Sequence, residues 1–154
     1  MSKKPTANDA ELILKLYDLR REAEMRKARD WWVVRFWPQN ADEFIKVANA
    51  MGTQENNWLR QVGGYWDMAA AMVLRGAIHP ELFLEGGVSG EMFFLYAKIQ
   101  PILKELREKM QSPGLFSNVE KVIMSSKTGR ERLKTVSARV ATRRKALAEA
   151  AKAS

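Results

Sequence analysis

Apolar side chains recur along this chain every three or four positions, the spacing that lines one face of an α-helix. No stretch sustains the strict alternation of a half-buried strand. Leu12, Leu16, Leu19 and Ala23 open the pattern, and Met25, Ala28, Trp32 and Phe36 continue it as a drifting stripe. Asn8 with Glu11 three residues later has the form of a capping box, and Pro38 pushes the residue before it out of the helical region. The spacing predicts one long helix over about residues 9–35. Asn40 with Glu43 repeats the cap and predicts a short helix over about 41–51, stopped by Gly52.

Thr53 then caps a third helix over about 54–75, apolar at Trp58, Leu59, Val62, Tyr65, Trp66, Ala69, Met72 and Val73. That face is the widest in the chain, which marks the helix as central. Gly63-Gly64 in its middle costs about 1 kcal/mol per glycine relative to alanine, a cost that close approach of another helix would offset. His79-Pro80-Glu81 reads as a cap, a first-turn proline and a first-turn acid opening a short helix to Leu84. Gly86-Gly87 breaks it, and Ser89 caps a fifth helix over about 90–110, with Pro101 inside it as a kink. Ser112-Pro113-Gly114 is a turn, and a helix over about 116–124 follows.

The fold expected is all-α: a compact bundle of five or six helices over residues 1–124, centred on the 54–75 and 90–110 helices, with a basic C-terminal helical tail at 125–154. The segment 125–129 reads as a linker. Beyond it only Leu133, Val136, Val140 and Leu147 are sizeable apolar residues, so the tail protrudes or frays unless it docks.

Charge sharpens this division. Residues 1–126 hold 17 Lys/Arg against 16 Asp/Glu, whereas residues 127–154 hold nine against Glu131 and Glu149. Nearly all of the net +8 therefore lies in the last 28 residues, a segment suited to polyanions or acidic proteins. With no cysteine and a single histidine, His79, disulfides, thiolate zinc sites, iron–sulfur clusters and multi-histidine metal sites are excluded. The early apolar run stops at Leu12-Ile13-Leu14, too short for a signal peptide, and no uncharged run approaches a membrane span. A cytoplasmic protein is expected.

Several features together resemble a family of uncharacterised bacterial helical domains of unknown function. Asn57 and Arg60 lead a helix, followed by Tyr65-Trp66-Asp67-Met68-Ala69 and Arg75-Gly76-Ala77-Ile78. Then come Glu81-Leu82-Phe83 and Pro101-Ile102-Leu103 before Arg107. The resemblance covers about residues 56–107. It implies an all-helical domain and carries no activity.

Candidate chemistry is sparse, and no enzyme, cofactor or metal is expected. His79, placed before Pro80, reads as a capping or surface residue. Glu81, Glu85 and Glu91 near the 86–90 glycines lack any cation-loop spacing, and those glycines do not form a phosphate loop. Asp67, between Trp66 and Met68, is expected to form a structural ion pair with Arg60. Trp31, Trp32 and Trp37 crowd beside Arg35, which suggests a hot spot for a protein partner or self-association, or alternatively core packing or a bilayer surface. Arg130, Arg132, Lys134, Arg139, Arg143, Arg144 and Lys145 are candidates for polyanion binding. With no aromatic residue among them to stack a base, nucleic-acid binding there would be non-specific. The leading expectation is a helical interaction module using the aromatic-basic segment and the tail, and the alternative is a nucleic-acid-associated protein using the tail alone.

Overall fold

The computed structural model describes residues 3–154, and every regular element among them is helical. In chain order these are α1 (Ala7–Arg20), α2 (Ala23–Asp30), a π-turn (Trp31–Arg35), α3 (Ala41–Asn49), α4 (Gln54–Leu74), α5 (Pro80–Phe83), α6 (Gly86–Lys109), α7 (Ser117–Met124) and α8 (Lys127–Ala153). Up to residue 124 there are thus seven α-helices rather than five or six, because the expected 9–35 helix is divided. The Glu22 carboxylate accepts from the backbone N–H groups of Glu24 and Met25, which ends α1 and starts α2. At the other end of α1 the cap is Thr6, not Asn8. Thr6 and Asp9 satisfy each other's backbone N–H in a reciprocal box.

Asn40 and Thr53 cap α3 and α4 as expected. Gly76, at φ 79°, ends α4 with a bond from Ala77 N back to Met72 O. Pro80 opens α5. Asp9 also accepts from the backbone N–H of His79 (2.8 Å), tying the start of α1 to the start of α5, and the His79 ring meets the Lys3 carbonyl. Helix α6 starts at Gly86, earlier than Ser89. Glu85 O accepts from Val88 and Ser89, and Ser89 is wholly buried inside the helix. It runs unbroken through Pro101.

Helix α4 packs against α2, α3, α5 and α7, and α6 against α3, α5, α7 and α8. The two meet through side chains: Trp66 Nε1 donates to Glu91 Oε1 at 3.0 Å. Glu91 Oε2 accepts from Arg29 Nε at 2.8 Å, with only 11% of the Glu91 side chain exposed. Arg29 also donates to Arg20 O, and Arg20 lies over the Trp66 ring and donates to Val88 O. One carboxylate therefore joins α2, α4 and α6.

The 125–129 segment is a tight helix junction. Ser126 caps α8 by accepting from Gly129 N, and Gly129 is buried against α7. A Cβ at Gly129 would stand 2.1 Å from Ile123 O. That contact is with backbone and cannot be relieved by a side-chain rotation. Gly129→Ala is expected to destabilise the protein by about 1–3 kcal/mol in urea denaturation. At Gly87 a Cβ meets nothing within 4 Å, and Gly87→Ala should cause no such loss. Leu133 and Val140 of α8 join the common core.

Candidate functional site

The structure divides the aromatic-basic segment between core and surface. Trp31 and Trp32 are buried, Trp32 completely. In the π-turn, Phe36 N bonds Trp31 O across five residues, and the widened turn gathers Trp31, Trp32 and Phe36 on one side. Trp31 stacks on Phe36 at 4.5 Å between ring centres, and Trp32 Nε1 donates to Leu59 O. These two tryptophans are core residues, which corrects their expected place on a partner surface. Arg35 is exposed and Trp37 half-buried.

Asp67 and Arg60 form no ion pair. Seven residues of helix separate them by about 10 Å along the axis, and each has another partner. Arg60 donates to the side-chain oxygens of Asn56 and Asn57, and Asp67 accepts from Asn118.

The basic residues of α8 have separate tasks. Arg132 donates to Leu84 O and lies over the Phe93 ring, with its guanidinium where a Cβ at Gly86 would otherwise stand. Arg144 donates to Pro38 O (2.6 Å) and Lys98 O (2.8 Å). Arg130 donates to Met124 O at 2.7 Å. These three anchor the helix to carbonyl oxygens, and Arg132 and Arg144 are not free for a polyanion as expected. Lys134, Arg139, Arg143 and Lys145 are exposed and have no hydrogen bond or ion pair among the described residues.

Where α8 passes the start of α6, a cleft of about 1380 Å³ opens. Leu84, Phe94 and Val136 give it apolar surface, and Gly90 leaves a bare stretch of helix. Arg132, Arg139 and Arg143 line it from α8, spaced two turns and then one turn apart along one flank. Glu81 and Glu85 line it from the α5 side, and Glu131 from α8. Apolar surface beside the guanidinium groups of Arg139 and Arg143, which bond no other group among the described residues, suits an amphipathic polypeptide segment that brings carboxylates to that flank.

Beneath the same helix is a residue that charge counting overlooked. Lys98 is fully buried, and its ammonium donates to Trp32 O in the π-turn. It lies 4.1 Å from the centre of the Trp37 ring and 5.4 Å from that of Phe94. Burial, with Arg144 adding repulsion, pushes its pKa down to about 7. The sequence signal was a lone lysine inside the apolar run 92–99. The anchoring roles of Arg132 and Arg144 had no such signal, because they depend on which side of α8 faces inward.

Among the described residues, no helix is long and apolar enough to cross a membrane, and no three His, Asp or Glu gather as a metal site would require. No curated protein and no solved structure matches the chain. Residues 5–126 match a family model described as a domain of unknown function, DUF4760. That match takes in α1 to α7 and ends just before α8, so the helices that build the bundle place this chain in the DUF4760 family.

Proposed function

We propose that this chain is a non-enzymatic helical interaction module of the cytoplasm, a bundle over residues 1–124 bearing a basic helical arm over 125–154. Its contact site is the cleft between α8 and the α5–α6 junction, and its partner is an acidic amphipathic segment of another protein. One observation carries this reading: Arg139 and Arg143, without a partner among the described residues, stand beside the apolar surface of Phe94, Leu84 and Val136. The aromatic contribution comes from Phe94, in place of Trp31 and Trp32.

An acidic amphipathic helical peptide in a fluorescence-anisotropy titration tests it. Arg139→Glu with Arg143→Glu should weaken binding at least about tenfold while leaving the melting temperature nearly unchanged, because neither side chain has a hydrogen bond or ion pair among the described residues. Equal affinity for wild type and variant would end the proposal.

A second reading rests on a different face. Lys127, Lys134, Lys145 and Lys152 are exposed and share the outer stripe of α8, the pattern of a non-specific phosphate contact. It predicts that random duplex DNA binds with a salt slope of about −0.9 per phosphate contacted, reduced by Lys134→Gln with Lys145→Gln.

A further inference from the structure

A smaller pocket, of about 380 Å³, lies between α3, α4 and the turn over residues 110–116. Its walls include Phe44, Leu59, Leu115 and Phe116, and its polar groups are few, as in small-molecule sites. The two ends carry opposite charge. Arg60 lines it on one side of the Gly63-Gly64 pair and Asp67 on the other.

Both charges are held by amides. Arg60 bonds Asn56 and Asn57, Asp67 bonds Asn118, and Asp67 Oδ1 has no hydrogen-bond partner among the described residues. Amide partners fix a charged group in place without neutralising it. Between the charges the helix carries two glycines, one covered and one bare. A Cβ at Gly63 would press the Phe116 ring at 3.3 Å, so packing accounts for that glycine. A Cβ at Gly64 meets nothing within 4 Å, so packing within the chain does not account for the second one. Glycine in a helix interior is unfavourable, and one with open space beside it leaves the backbone clear for something outside the chain. The opposite wall is itself held in an unusual shape, with Gln111 (φ 50°) and Phe116 (φ 54°) both left-handed.

We infer that this pocket binds a short free peptide of two or three residues with apolar side chains, its carboxylate on Arg60, its ammonium on Asp67 and its backbone passing Gly64. The dimensions agree. Seven helical residues rise about 10 Å, and two or three extended residues span about 7–10 Å. Arg60 is exposed and Asp67 half-buried, which puts the ligand's carboxylate at the open end and its ammonium at the closed one.

The test is calorimetric titration of the full chain with leucyl-leucine and with the same dipeptide N-acetylated and C-amidated. The free dipeptide should bind at least about tenfold more tightly than the capped one. Asp67→Asn and Arg60→Gln should each weaken the free dipeptide by about the same factor. Gly64→Ala should raise the melting temperature by about 2–4 °C and still weaken binding, which separates a ligand role from a folding role. Equal affinity for free and capped dipeptide, or no heat at millimolar concentration with wild-type protein, overturns the inference. Binding that is unaffected by both charge substitutions overturns it as well.

Discussion

Glu91→Ala is expected to lower the unfolding free energy by about 2–4 kcal/mol, less than a fully buried ion pair would lose because the Arg29 side chain is 29% exposed. Urea denaturation of wild type and variant measures it. The Glu91 carboxylate is the sole side-chain acceptor for both Arg29 Nε and Trp66 Nε1 among the described residues. Its loss leaves the Arg29 guanidinium with the Arg20 carbonyl but no counter-charge, and strands an indole N–H at the meeting point of α2, α4 and α6. Arg20, itself buried, adds positive charge beside the gap. Most of the loss is thus the penalty of an uncompensated cation and not of a missing contact. A double change, Arg29→Met with Glu91→Met, should therefore be less damaging than Glu91→Ala. If the double change is the worse of the two, the pair contributes net attraction and this account of it is wrong.

The second large effect depends on pH. Lys98 has a pKa of about 7 when folded against an ordinary 10.5, so between those values the unfolded chain binds more protons than the folded one. Stability then rises as pH climbs from 7 towards 10.5, by about 1.4 kcal/mol per unit, several kcal/mol in all. Below pH 7 the contribution is flat and unfavourable. Tyr65 and Tyr96 act in the other direction: burial raises both, Tyr65 to about 12. Their share is intact below pH 10 and is lost above it, as the unfolded phenols ionise first. The curve should peak near pH 10. Lys98→Met should remove the rise and be the more stable protein at pH 7, although it gives up the bond to Trp32 O. Denaturation midpoints from pH 6 to 11 decide the matter, and a wild-type curve that stays flat from 7 to 10 would refute it.

Much of the all-helical reading was legible because local chemistry and tertiary packing agree at the places that punctuate the chain. Asn40, Thr53, Gly76 and Pro80 mark boundaries by rules that need no knowledge of neighbours. The break at Glu22 was not legible, because glutamate is an uncommon cap and the periodicity continues across it. Trp31 and Trp32 misled for a related reason. At 3.6 residues per turn the cluster cannot all face inward, but the π-turn changes the period for five residues. The Asp67–Arg60 pair fails on distance alone, since only residues three or four apart on a helix meet. On α8, three arginines proved to be anchors, and composition cannot distinguish an arginine that binds a carbonyl beneath it from one that faces water.

The order in which the polypeptide is made gives the seat of α8 one more consequence. Synthesis runs from the N-terminus onward, so α8 leaves the ribosome after every helix it rests on. Until Arg144 reaches the Pro38 and Lys98 carbonyls, the helices made earlier lack the anchors that α8 supplies. The carbonyl anchors of Arg132 and Arg144 and the packing of Leu133 and Val140 therefore form only after α1 to α7 have emerged.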